Sequence, residues 1–149
     1  MWIYLILMVA LVIIDQVIKA AIVSHIALGA STSIVTGLLS LTNLHNNGAA
    51  WSILEGKMWF FYLISVIALI VMGYLLWRLR GKWLYEVGIS LMIAGTLGNF
   101  IDRLRIGYVV DMFQLDFINF PIFNFADSCL TVGVIFILIG VLRDDRFEK

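Results

Sequence analysis

Three carboxylates near the ends of apolar stretches, Asp102, Asp111 and Asp127, are the residues of this chain best placed to do chemistry. Asp111 sits in Tyr108-Val109-Val110-Asp111-Met112-Phe113, an apolar, extended-looking run with no basic neighbour in sequence. Burial there raises a carboxyl pKa, and two carboxyls held close do not both ionise readily, so one keeps a proton while the other stays a base. A pair in that state suits peptide hydrolysis. One Asp takes a proton from water, the water attacks the carbonyl, and the other Asp supplies a proton to the oxygen or the leaving amine. Asp127 and Asp102 each follow an Asn by three residues, in Asn124-Phe125-Ala126-Asp127 and Asn99-Phe100-Ile101-Asp102-Arg103, a spacing that puts amide and acid on one helical face. Spacing leaves both Asp102 and Asp111 open as the partner of Asp127. Arg103, directly after Asp102, favours its ionised form and so a scaffold or clamp role, which makes Asp111 the preferred partner.

The elements that must position these acids are membrane helices. Of 149 residues, 62% are hydrophobic and 13% charged, against about 45–50% and about 25% in an average soluble domain. A bilayer core about 30 Å thick takes roughly 20 apolar residues of helix, and four stretches meet that scale, at about 2–23, 58–77, 83–103 and 123–142. The expected fold is one all-α integral membrane domain over residues 1–149, with outer segments at about 24–57 and 104–122. The first mixes strand and turn signals, Leu38 to Thr42 followed by a tight turn at Asn46-Asn47-Gly48, and the second is short, apolar and broken by Pro121. Six of the ten basic residues, Arg78, Arg80, Lys82, Arg143, Arg146 and Lys149, flank one side. That side is expected to be cytoplasmic, with both termini inside and the acids at the outer face. Trp2, Trp51, Trp59, Trp77 and Trp83 fall near span ends, where such rings favour the interface.

Other groups are read more plainly. Asp15 and Lys19, four apart in the first span, are expected to neutralise each other as a structural ion pair. Glu86, Asp144, Asp145 and Glu148 read as solvated anchors among the cytoplasmic bases. Equal numbers of acids and bases give no field for nucleic acid. One Cys and two isolated His offer neither a disulfide framework nor metal-ligand spacing, so no metal is expected, and Ser128, Cys129, His25 and His45 lack the frame of a nucleophile site. A small proton- or cation-coupled transporter is the competing class, because intramembrane acids also relay ions. It would want its acids near the bilayer midplane.

Asp15-Gln16 with Lys19, Asn47-Gly48-Ala49-Ala50, Gly98-Asn99 with Asp102-Arg103, Val109-Val110-Asp111, and Phe123-Asn124 with Ala126-Asp127 follow one another on four spans. In this order they resemble the bacterial lipoprotein signal peptidase family, signal peptidase II. The resemblance implies an aspartic endopeptidase of the bacterial cytoplasmic membrane that removes signal peptides from prolipoproteins, cutting before a diacylglyceryl-modified Cys. It implies Asp111 and Asp127 as the catalytic pair, with Asn47, Gly48, Asn99, Asp102, Arg103 and Asn124 supporting substrate or pair. It further implies a small extracytoplasmic sheet, a short interfacial helix near the site, contact with membrane lipid, inhibition by globomycin, a monomer, and no cofactor.

Overall fold

The structure, a computed structural model, describes residues 2–48 and 56–144. Its elements run α1 (Trp2–His25), β1 (Ser31–Val35), β2 (Leu39–Asn46), α2 (Met58–Arg78), α3 (Trp83–Ile106), β3 (Val109–Leu115) and α4 (Phe125–Arg143). All four helices are long and apolar enough to cross a membrane, and they cover the four apolar stretches of the sequence. Their outward faces carry exposed Ile, Leu and Val, as helices surrounded by lipid require, and Trp2, Trp59, Trp77 and Trp83 are exposed near helix ends.

Helix α3 is the hub, packed against each of the other three. Lipid tails are as apolar as Leu, so membrane helices associate through close packing, which favours small residues at the contact. Ala126, Gly133 and Gly140 recur every seven residues on α4, the first two meeting α3 at its own glycines, Gly95 and Gly88, and Gly140 making room for the ring of Tyr85. A Cβ placed on Gly95 would lie 2.4 Å from the Ala126 carbonyl oxygen, and one on Gly133 would lie 2.6 Å from that of Gly88. Between α2 and α3 the packing is of the ordinary kind, with Met72, Leu76, Ile89 and Ile93 forming a buried cluster.

The three strands form one antiparallel sheet in the order β1-β2-β3. The reversal between β1 and β2 falls at Gly37, which has φ 75°, and not at Asn47-Gly48. There β2 simply ends in a bend, the Gly48 N–H donating to Asn46 Oδ1 at 2.9 Å. The second outer segment is more than a short apolar link, because it supplies β3, which pairs with β2 through Leu44↔Asp111 and Asn46↔Val109. Val110 and Met112 bury one face of β3 against Ile22 of α1, and strand alternation turns Asp111 to the other face. The chain then doubles back, Phe123 exchanging main-chain hydrogen bonds with Phe113, before α4 begins.

Two expectations need correction or restriction. Glu86 is buried, not solvated, and interacts with the phenol of Tyr4 on α1, whereas Asp144 does pair with Lys82 at the basic end. No fifth helix occurs among the described residues. The segment after the Asn47-Gly48 bend, with Ala49, Ala50 and Trp51, lies outside them, as do Asp145, Arg146, Glu148 and Lys149.

The glycine contacts make a direct prediction. Gly133→Ala forces backbone against backbone and should lower stability by about 1–3 kcal/mol, the usual range for overpacking. Gly73→Ala, with nothing within 4 Å, should leave it unchanged or raised. Thermal unfolding of the purified variants checks both.

Candidate active site

Helix α4 starts with a reciprocal cap. Asn124 is the N-cap, its Oδ1 accepting the Asp127 N–H at 2.9 Å while Asp127 Oδ2 accepts the Asn124 N–H at 3.1 Å. Two otherwise orphaned donors are satisfied and both side chains are locked. With Oδ1 used in the cap, the Asn124 Nδ2 faces the other way, donating to Asp111 Oδ1 at 2.7 Å and to Asn99 Oδ1 at 3.1 Å. Asn99 in turn donates from Nδ2 to Asp127 Oδ1 at 2.8 Å. Each amide therefore serves an acid on another element: Asn99 of α3 holds Asp127, and Asn124 at the start of α4 holds Asp111 on β3. The spacing in sequence suggested that Asn99 would orient Asp102, which it does not.

Asp102 is held elsewhere. Its Oδ2 lies 2.8 Å from Lys19 Nζ, and its Oδ1 accepts from Gln16 Nε2 at 2.9 Å. Lys19 also meets Asp15 Oδ2 at 3.0 Å and donates to Asn99 Oδ1 at 3.0 Å. The expected two-residue ion pair is thus a buried cluster joining α1 to α3, and the cation beside Asp102 is Lys19, not Arg103. Consecutive helix positions point in different directions, so sequence adjacency did not bring the Arg103 guanidinium to Asp102. Instead Nη2 of Arg103 donates to the Gly48 carbonyl at 3.0 Å, and the guanidinium lies 4.5 Å from the centre of the Phe61 ring.

Asp111 and Asp127 line one cavity of about 780 Å³. Asn46, Gly48, Asn99, Arg103 and Asn124 make its polar part, and Leu115, Phe120, Phe123, Leu130 and Val132 its apolar part. Asp102 does not line it. The residue that sequence reasoning missed is Asn46, whose Nδ2 donates to Asp111 Oδ2 at 2.8 Å. Only the β2–β3 register, which sets Asn46 diagonally across from Asp111, could have revealed it. Burial pushes the Asp111 carboxyl up to about 6, and the nearby Asp127 charge adds to this, while the hydrogen bonds from Asn46 and Asn124 pull against it. His45 stacks on Tyr108 with ring centroids 3.8 Å apart, and Cys129 is buried in the helix packing. Among the described residues no three His, Cys, Asp or Glu side chains group as metal ligands would.

Fold and site together define a multi-pass membrane protein that gathers two acids and their amide partners in a cavity at one end of its helices. The chain matches the family model Peptidase_A8, signal peptidase (SPase) II, over residues 7–143, and it belongs to that family. It is 99% identical to a lipoprotein signal peptidase of Lactiplantibacillus plantarum over the whole of both chains. It is 53% identical to one of Enterococcus faecalis, covering 99% of this chain and 92% of the relative. A solved bacterial membrane enzyme, determined in meso at 2.3 Å, superposes with a TM-score of 0.91 at 42% identity, covering 100% of this chain and 93% of that one.

The position of Asp111 has a thermodynamic signature. Its pKa is raised from the ordinary 3.8 to about 6, so the folded state binds this proton more tightly than the unfolded chain does. The stability it contributes is fully present below about 3.8 and is lost as pH rises through about 6. Relative to Asp111→Asn, the wild type should therefore lose stability as pH rises from 4 to 7, by on the order of 3 kcal/mol. Paired thermal melts across that range measure the difference.

Proposed function

We propose that the chain removes signal peptides from prolipoproteins as an aspartic endopeptidase, with Asp111 and Asp127 as the catalytic pair. The observation that carries this reading is the crossed amide couple, in which Asn99 and Asn124 turn carboxylates from two different elements into the wall of one cavity. Asp111, buried and raised to about 6, carries the shared proton. Asp127, in the first turn of α4 where main-chain N–H groups favour negative charge, is the base.

Asp127 removes a proton from a water between the two acids, and the resulting hydroxide attacks the peptide carbonyl carbon while Asp111 protonates the carbonyl oxygen. In the diol that results, Asp127 returns its proton to the amide nitrogen, the carbon–nitrogen bond breaks, and Asp111 recovers a proton from one hydroxyl. Both acids end in their starting states. No step needs a metal or an organic cofactor. Arg103 and Gly48, in the polar part of the lining, and the apolar wall of Phe120, Phe123 and Leu130 suit a substrate with a polar backbone beside a lipid-bearing Cys.

In this reading the sheet and the pair lie at the outer face of the bacterial cytoplasmic membrane and both termini lie inside, following the bases Arg78, Arg80, Lys82 and Arg143 at the opposite end. The protein works as a monomer, because every group the chemistry uses comes from one chain, and globomycin blocks the pair. An ion-transport role finds no support in the family to which the chain belongs.

Asp111→Asn and Asp127→Asn should each lower cleavage of a diacylglyceryl-modified prolipoprotein peptide by about 10²–10⁴-fold, the usual scale for general acid–base groups. Both should still fold in membranes. If Asp111→Asn cleaves at the normal rate while Asp102→Asn folds but does not cleave, the pair is Asp102 with Asp127 instead. In the wild type, kcat/KM should fall on the alkaline side with an apparent pKa near 6, since loss of the shared proton removes the acid. A rate profile that rises steadily through pH 8 would contradict the assignment of the proton to this pair.

A further inference from the structure

Lys19 does not line the cavity and is 3% exposed, within α1. Its ammonium has three protons to donate and no lone pair to accept with. Each proton has a partner: Asp15 Oδ2 at 3.0 Å, Asp102 Oδ2 at 2.8 Å and Asn99 Oδ1 at 3.0 Å. The two acids are fixed from behind, Asp15 Oδ1 accepting the Ala126 N–H at 3.0 Å and Asp102 Oδ1 accepting from Gln16 at 2.9 Å.

The third partner is an amide, which has two ends that look alike in shape and are opposite in polarity. A group that only donates decides which end faces it. Asn99 Oδ1 must point at Lys19, so Nδ2 must point the other way, where Asp127 Oδ1 lies at 2.8 Å. Reversed, the amide would set N–H against ammonium and carbonyl against carboxylate, two repulsive contacts in a buried site. Asn124 favours the same direction, but it is itself an amide, oriented by the Asp127 N–H at its Oδ1. The series of amides therefore ends in two groups of fixed polarity, a main-chain N–H and Lys19.

We propose that Lys19 is a positioning residue for hydrolysis: it locks the Asn99 amide so that Nδ2 donates to Asp127, and Asp15, Gln16 and Asp102 hold Lys19 in place to do so. This rests on the reading of Asp111 and Asp127 as the catalytic pair. It differs from a plain ion pair between α1 and α3, which would need only the charges.

Gln and Met are of equal length, and only Gln can donate to Asn99. Lys19→Gln and Lys19→Met are each combined with Asp102→Asn, which leaves the cluster the same single excess negative charge. The full-length protein is assayed in lipid-containing micelles on a synthetic diacylglyceryl-modified prolipoprotein peptide. The Gln pair should keep kcat within about tenfold of Asp102→Asn alone. The Met pair should fall a further tenfold or more, the scale of lost outer-shell orientation, with KM within about threefold. Equal kcat for the two pairs, or a change confined to KM, overturns the proposal. If the Met pair shows no thermal unfolding transition, the Gln pair decides alone: loss as deep as in Asn99→Ala, or failure to fold, overturns it, and retained turnover supports it. Asp127→Asn is run in parallel, because normal cleavage by that variant would overturn the catalytic reading itself, an outcome no Lys19 variant can produce.

Discussion

Helices usually pack with axes about 8–10 Å apart, a distance set by the side chains between them. Between α3 and α4 those side chains are missing at Gly88, Gly95 and Gly133, and carbonyl oxygens of one helix occupy the space a Cβ would take on the other. Asparagine is a short residue, and only this closeness lets Asn99 on α3 reach both Asp127 and Asn124 at the start of α4. The site is therefore a product of backbone contact far more than of hydrophobic burial. A bulkier seam would keep the fold class and lose the hydrogen bonds.

Once the two helices are that close, the polar groups between them have little freedom. Several of these groups are buried, so a misdirected donor is costly and each one placed restricts the next. The groups of the site come from five elements: Lys19 from α1, Asn46 from β2, Asn99 and Asp102 from α3, Asp111 from β3, and Asp127 from α4, with Lys19, Asn99, Asp102 and Asp111 buried and Asn46 and Asp127 half-buried. Two buried polar atoms, Asn43 Oδ1 and Arg103 Nε, have no hydrogen-bond partner among the described residues. Arg103 belongs to the cavity wall, so its Nε is, among the described residues, a buried donor in that wall left unmatched.

Much of this was legible in the sequence because membrane helices announce themselves by length and apolarity, and because acids stand out in such surroundings. Asp111 was singled out by its apolar neighbours, and alternation along β3 explains why: Val110 and Met112 fill one face and leave Asp111 the other. Partner identity was not legible. Asn99 precedes Asp102 at a helical spacing yet bonds to Asp127, and Arg103 adjoins Asp102 yet bonds to Gly48, because three-dimensional neighbours come from other elements. Asn46 was missed for the same reason, its role depending on a register between strands separated by the whole of α2 and α3. Glu86 was misread because Lys82, its nearest basic neighbour in sequence, pairs with Asp144, whereas Glu86 meets Tyr4 of α1.

The i, i+4 spacing of Asp15 and Lys19 bears on how the chain is made as well as how it works. Helix α1 leaves the ribosome some eighty residues before α3 brings Asp102, and in that interval its charges must enter lipid without the partner they finally share. An unpaired charge at the centre of a span costs on the order of 2.5–3.5 kcal/mol on insertion scales. With acid and base one turn apart at 3.0 Å, the nascent segment carries its own counter-ion and presents a near-neutral face to the membrane. The order of synthesis then matches the order of bonding: Lys19 is first a partner for Asp15, and becomes a partner for Asp102 and Asn99 when α3 arrives.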